Sequence, residues 1–175
     1  MTIHLSKRRI VLDGSILSSA FTLFAFTGLY IDARLWIQDY PPEIQAVVGE
    51  SFVAPVYERI IFGLIFVGIV FGGLLISNHL LKKELGNRFS LSTSFIHTFI
   101  LYWIVNAADV FILDWLIFVT IQPDFVILPG TEGMAGYKDY YFHFEGSFLS
   151  WTPWLGSIII SGIIAGFSNI KKKSH

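Results

Sequence analysis

The chain has 175 residues, of which 54% are hydrophobic and only 14% are charged. An average soluble chain is about 25% charged, and a domain of this size cannot bury so much apolar surface because burial is limited by the ratio of surface to volume. The composition therefore excludes a soluble globular domain and indicates a protein solvated by lipid. The net charge of -1 excludes a basic nucleic-acid-binding face, and the absence of Cys excludes disulfides, thiolate catalysis and zinc–thiolate sites.

Four apolar stretches are long enough to cross a hydrocarbon layer of about 30 Å, which takes about 20 helical residues. They cover residues 10–31, 56–77, 91–121 and 151–170, and they leave long loops at 32–55 and 122–150. The first stretch is longer than the apolar region of a signal peptide and no cleavage pattern follows it, so we expect it to be retained. The sequence thus predicts an all-α, integral membrane four-helix bundle that forms a single transmembrane domain over residues 1–175.

Charged residues are distributed unevenly between the two sides of the predicted bundle. Nine of the 12 Lys and Arg residues lie in three clusters, at the N-terminus, in the loop between the second and third spans, and at the C-terminus. Nine of the 13 Asp and Glu residues lie on the opposite side. The excess of basic residues predicts that both termini are cytoplasmic and that the long loops are extracytoplasmic. The ending Lys171–His175 also fits a dilysine pattern for endoplasmic-reticulum retrieval in eukaryotes, which gives an alternative localisation.

The two long loops are predicted to be ordered. The first contains Asp39-Tyr40-Pro41-Pro42-Glu43, a rigid turn or extended element, followed by a short helix from Ile44. The second contains a turn at residues 129–133 and then an aromatic run over 137–148. Because long loops in compact proteins usually have a structure or a function of their own, we expect a structured, acidic and aromatic cap.

The third span carries two acids, Asp109 and Asp114, within apolar sequence. An ionised carboxylate near the bilayer centre costs at least about 2.5 kcal/mol, so such residues normally face a cavity or a partner. At about 100° per residue, Asp109 shares one stripe with Thr98, Tyr102 and Asn106, and we expect this stripe to face the bundle interior. Asp114 lies about 140° round from Asp109 on the same basis. The two acids are therefore predicted to lie on different faces, unless a second helix or the cap between them brings them to one site.

Both acids also have structural interpretations. Asp114 would pair with Arg34 or Arg59, near the outer ends of the first two spans. Asp109 would stay protonated and hydrogen-bonded to Asn106 or to a hydroxyl group of another span.

A second cluster of polar residues lies in the second long loop. His143 and Glu145 alternate along an aromatic stretch, so they would share a face in extended structure. With Asp114 they would form a His/Asp/Glu site whose cofactor is a divalent metal ion. Their spacing matches no specific metal motif, and the alternatives are a headgroup-level His in an aromatic belt or a His–Glu surface pair. We expect His97 to be a packing or interfacial histidine, because it lies about 120° from the Asp109 stripe.

Small residues recur on the other three spans at spacings that let membrane helices approach closely. They are Ser15, Ser18, Ser19 and Thr22 on the first span, Gly63, Gly68, Gly72 and Gly73 on the second, and Ser157, Ser161, Gly162 and Gly166 on the fourth. We expect them to pack within one bundle, and the alternative is a homo-oligomer through the Gly and Ser faces of spans two and four. The partner implied by the composition is the lipid bilayer, with no role for nucleic acid.

Three segments of the chain also resemble known sequences. They are Arg34-Leu35-Trp36 with Asp39–Gln45, then Asn106, Asp109 and Asp114-Trp115, then Pro129–Gly133. Over most of the chain the pattern resembles a group of small, uncharacterised bacterial four-pass membrane proteins. The resemblance implies a bacterial cytoplasmic (inner) membrane and implies no activity.

Three functions remain open from the sequence. The leading hypothesis is that a cation or a small or lipidic ligand is bound or transported in an outward-opening cavity lined by Asp109, Asp114, Asn106 and Tyr102, because intramembrane acids suit cation coupling and an acidic outer face concentrates cations. The second is a membrane-embedded, metal-dependent enzyme that acts on a lipid or polyprenyl substrate at the outer leaflet through Asp114, His143 and Glu145. The third is an accessory or assembly subunit whose acids pair with a partner protein.

Overall fold

The computed structural model describes residues 3–170, and every regular element within this range is helical. Four helical runs are long and apolar enough to cross a membrane, which confirms the prediction of an all-α chain with four such helices. They are α1 (Lys7–Ile31), α3 (Val56–Leu85), α4 (Leu91–Ala108) with a π-helix that continues it (Asp109–Ile121), and α6 (Trp151–Asn169). The predicted C-terminal cluster Lys171–Lys173 lies outside the described residues.

The long loops contain short helices. These are α2 (Pro42–Val48), α5 (Tyr140–Phe144) with its π-helical extension (Glu145–Leu149), and 3-10 turns at Ala33–Asp39, Asp124–Val126 and Ala135–Lys138. A further 3-10 turn, Gly86–Arg88, joins α3 to α4.

The four long helices form a bundle in which helices consecutive along the chain alternate in direction. Helix α1 packs on α3 and α4, and α6 packs most closely along α4. The start of α1 and the end of α6 lie at the same end, which we call the terminal end. There the Arg9 Nε atom donates to Glu84 at 3.4 Å, and Lys82 donates to the carbonyl oxygen of Ser168 at 2.6 Å. The opposite end, which carries residues 32–55 and 122–150, is the loop end.

The bundle is apolar outside and partly polar inside. Large aliphatic side chains such as Ile16, Leu64 and Ile76 are more than 60% exposed, as expected for surfaces that face lipid. The interior near the terminal end holds buried polar side chains, namely Asp13, Ser77, Asn78, Thr93, Ser94, His97 and Thr98. An apolar layer separates this polar interior from the loop end and consists of Leu17, Leu74, Leu101 and Ile164.

Small residues contribute to packing at some of the predicted positions. Ser157 and Ser161 on α6 are fully buried, and a Cβ atom added to Gly73 would collide with the side chain of Leu17 on α1. The prediction for the first span is wrong in part, because Ser15 and Ser19 are exposed. The interior face of α1 is formed instead by residues about four apart, namely Asp13, Gly14, Leu17, Phe21, Ala25 and Gly28.

Several glycines face away from the rest of the described chain. An added Cβ atom would meet no atom within 4 Å at Gly63, Gly68, Gly72, Gly162 or Gly166. A homo-oligomer through these faces of α3 and α6 therefore stays a prediction.

The two long loops share one hydrophobic core, which we call the loop core. It contains Tyr40, Ile44, Val126, Leu128 and Tyr137, and it packs on Phe118 of the π-helix. The Tyr40 hydroxyl donates to the carbonyl oxygen of Val126 at 3.0 Å, and the Tyr137 hydroxyl accepts from the backbone N–H of Leu128 at 2.8 Å. The Tyr40 bond fixes the first loop on the second and places residue 39 over the loop end of the bundle, and the Tyr137 bond lies within the second loop.

Candidate functional site

A cavity of about 320 Å³ lies where the loops meet the bundle, and we call it the acidic cavity. Its polar lining includes Asp39 from the first loop, Asp109 and Asp114 from the π-helix, and His143 from α5. Among the described residues that line it there is no Lys or Arg. Four aromatic side chains complete much of the wall, namely Trp36, Tyr40, Phe118 and Phe142.

The π-helix brings Asp109 and Asp114 to the same cavity. In a π-helix the hydrogen bonds join residues five apart, so residues at that spacing lie one turn above each other. Asp109 opens the π-helical segment and Asp114 follows five residues later. The prediction that the two acids lie on different faces is therefore wrong, because it assumed α-helical geometry.

His143 is held by Asp114. Its Nδ1 atom lies 3.3 Å from Oδ1 of Asp114, and only 7% of the residue is exposed. The rings of Phe118 and Phe142 pack against the imidazole with centroids 5.0 and 5.2 Å away. The Nε2 atom is buried and has no hydrogen-bonding partner within residues 3–170. When the Nδ1 proton is directed to Asp114, the neutral imidazole carries its lone pair on Nε2.

Asp39 places a third carboxylate at the cavity, and its charge responds to pH near neutrality. The side chain keeps contact with solvent, but the surrounding protein removes part of its hydration and raises its pKa to about 6. The negative charge of Asp114 raises this pKa further, and His143 acts in the opposite direction. The carboxylate makes no hydrogen bond or ion pair in the part of the chain that the structure describes.

Asp109 also lines a second cavity, of about 180 Å³, which we call the apolar pocket. Tyr102 and Asn106 line this pocket with it, so three members of the predicted stripe lie together. Thr98 is buried nearer the terminal end, where it accepts a hydrogen bond from Asn78 at 2.8 Å. The remaining wall of the pocket is aliphatic or aromatic, namely Leu17, Phe21, Phe66, Ile69, Val70, Leu74 and Val105.

The partners found for the acids differ from the structural alternatives considered above. Arg34 is bound by Asp32, with Nη2–Oδ2 and Nε–Oδ1 distances of 2.7 and 2.9 Å, and this hydrogen-bonded pairing lowers the pKa of Asp32. Asp114 pairs with His143 instead. Asn106 donates to the carbonyl oxygen of Ser147 at 3.2 Å, and the Asp109 carboxylate accepts no hydrogen bond from any residue between 3 and 170.

Glu145 does not line the acidic cavity. The segment around it is helical, not extended, so side chains two residues apart point in different directions. Within the described range, no three His, Asp or Glu side chains lie close enough together to hold a metal ion.

A buried hydrogen-bonded array at the terminal end was not predicted. The Ser77 hydroxyl donates to Oδ2 of Asp13 at 2.6 Å and lies 2.8 Å from Nε2 of His97. Arg9 donates to the other oxygen of Asp13 at 3.1 Å. Because the single hydroxyl proton is directed to Asp13, Nε2 of His97 must carry the proton of the second bond. The array joins α1, α3 and α4. The pattern in the sequence that could have indicated part of it is the i, i+4 spacing of Arg9 and Asp13.

Comparison of the chain with protein-family models, curated proteins and solved structures finds no match in any of the three. The function is therefore inferred from the residues of the chain and their geometry.

Proposed function

We propose that this polytopic membrane protein binds or transports a cation in the acidic cavity. The observation that carries the proposal is the charge of the lining, with Asp39, Asp109 and Asp114 present and no Lys or Arg among the described lining residues. Carboxylates that are partly withdrawn from water are costly unless an opposite charge compensates them. A bound cation would supply that charge.

The size and the walls of the cavity favour an organic cation. A volume of about 320 Å³ falls in the range of roughly 300–1,000 Å³ that is usual for small-molecule sites. The rings of Trp36, Tyr40, Phe118 and Phe142 line it, and aromatic faces attract ammonium groups through cation–π interactions. The free Nε2 atom of His143 adds a hydrogen-bond acceptor for an N–H group of such a ligand.

Titration calorimetry of the protein in lipid nanodiscs tests the proposal. We expect tetramethylammonium to bind, and Asp109→Asn and Asp114→Asn each to weaken binding on the order of tenfold, as expected when an interaction with a charged group is lost. Asp124→Asn is the matched control, because Asp124 is exposed and does not line the cavity. Absence of binding by tetramethylammonium and by primary alkylammonium ions alike, or equal affinity in all four proteins, would overturn the proposal. Uptake of labelled tetramethylammonium into proteoliposomes then separates transport from binding.

One observation favours the enzymatic alternative. A histidine whose Nδ1 is held by a carboxylate and whose Nε2 is free has the arrangement of a general base, and His143 with Asp114 has this geometry. An enzyme of this kind would act on a lipid or polyprenyl substrate that reaches the cavity. Incubation with a polyprenyl phosphate tests it, since turnover that is lost in His143→Ala while tetramethylammonium still binds would support catalysis.

A further inference from the structure

We propose that the cation is amphiphilic, with an ammonium head in the acidic cavity and an alkyl tail in the apolar pocket. This inference rests on the proposed function and adds the chemical class of the ligand. Its basis is the position of Asp109, which lines both cavities. A ligand whose charge meets Asp109 therefore lies beside the second cavity as well.

The two cavities differ in chemistry in the way that such a ligand requires. The acidic cavity is lined by Asp39, Asp114 and His143 in addition to Asp109. In the apolar pocket the polar side chains are those of Tyr102, Asn106 and Asp109, and the other lining residues are hydrophobic. A small inorganic cation would use only the first cavity and would leave the second unfilled.

The His143 side chain gives an independent indication of a ligand. It is 93% or more buried, it lines the acidic cavity, and its Nε2 atom has no partner within the described residues. A buried polar atom without a partner costs free energy, and an ammonium N–H in the cavity would satisfy it. A primary or secondary ammonium head can donate this bond, and a quaternary head cannot.

The volume of the apolar pocket limits the length of the tail. An apolar cavity of about 150 Å³ holds benzene, so a pocket of about 180 Å³ accommodates on the order of six carbon atoms. Each buried methylene group should increase the affinity about fourfold. We therefore expect the affinity for alkylammonium ions to rise from ethyl to about hexyl and then to level off.

A pair of matched variants on α3 tests the position of the tail. Val70 lines the apolar pocket, whereas Val67, on the same helix, is 54% exposed and does not line it. Val70→Phe fills the pocket and should abolish the increase in affinity with chain length, while Val67→Phe should retain it. If Val70→Phe does not fold, Val70→Leu fills the pocket in part and should reduce the slope. Calorimetry of the alkylammonium series in nanodiscs, with empty nanodiscs as a blank, gives the affinities.

The outcomes separate this inference from the proposed function. Suppose that tetramethylammonium binds. If the affinity for alkylammonium ions then does not depend on the length of the alkyl chain, or if it increases with that length equally in Val70→Phe and in the unsubstituted protein, the proposal of an amphiphilic ligand is wrong and the proposal of a cation site is retained. If neither tetramethylammonium nor any alkylammonium ion binds, both are wrong. Hexanesulfonate carries the same tail with a negative head, and equal binding of this anion would also overturn the inference.

Discussion

The Nδ1 atom of His143 lies 3.3 Å from Oδ1 of Asp114, and this contact joins the second long loop to the π-helix of the bundle. A double-mutant cycle with His143→Ala and Asp114→Ala should give a coupling on the order of 1 kcal/mol in the free energy of unfolding. The same cycle with Asp124→Ala, an exposed acid, should be additive within about 0.5 kcal/mol. Unfolding in mixed micelles measures both, and additivity of the first pair would contradict the contact.

The raised pKa of Asp39, at about 6, predicts a pH dependence of cation binding. Above pH 6 Asp39 is ionised and adds a negative charge to a cavity that already contains Asp109, Asp114 and His143. The affinity for tetramethylammonium should therefore rise several-fold between pH 5 and pH 7.5. Asp39→Asn should reduce this rise, and an identical pH profile in the variant would show that another group is responsible.

The raised pKa of Asp39 also determines how the stability of the fold depends on pH. The folded protein holds the Asp39 proton more tightly than the unfolded chain, in which the pKa of Asp39 is 3.8, so protonation of Asp39 stabilises the fold. This stabilisation is fully present below pH 3.8 and is lost as the pH rises through about 6. Asp39→Asn should thus be at least as stable as the natural chain at pH 7.5.

The Tyr40 hydroxyl should be needed for the loop core. It is almost fully buried and donates to the carbonyl oxygen of Val126 at 3.0 Å, so Tyr40→Phe removes the bond and leaves that oxygen unpaired. We expect a loss of about 1–3 kcal/mol in the free energy of unfolding. Tyr141→Phe is the matched control, because Tyr141 is 59% exposed. Equal stability of the two variants would contradict the role of this bond.

Ser77 should be needed to join the three helices at the terminal end. Ser77→Ala leaves Oδ2 of Asp13 and Nε2 of His97 without their shared partner in a buried position. Unfolding in mixed micelles should show a loss of about 1–3 kcal/mol, whereas Ser19→Ala, at an exposed position of α1, should change little. Unchanged stability of Ser77→Ala would mean that the array contributes nothing to the fold.

The helices could be predicted from the sequence, but the faces they bury could not. Length and apolar composition locate the four long helices because a bilayer sets both. The side of each helix that faces the interior has no comparable signal, since a helix that is apolar all round has no amphipathic pattern. Ser77 and His97 lie on different helices, so their contact depends on two rotations that the sequence does not reveal.

The candidate site could be predicted only in part, because the residues that form it are brought together by a geometry that the sequence pattern does not reveal. The apolar surroundings of Asp109 and Asp114 identify them as unusual in any conformation. Their common cavity depends on the π-helix that begins at Asp109, and nothing in the local sequence predicts a departure from α-helical geometry. Asp39 lies in a loop, and its place at the cavity follows from the burial of the next residue, Tyr40, against the second loop.

That adjacency of Asp39 and Tyr40 has a consequence for how the loops respond to an occupied cavity. A ligand that restrains the Asp39 carboxylate also restrains the residue that fixes the first loop to the carbonyl oxygen of Val126. Coupling free energies between two sites are reciprocal. If a cation in the cavity restrains the loops, a molecule that binds the outer surface of the loops should change the affinity for the cation by the same factor by which the cation changes the affinity for that molecule.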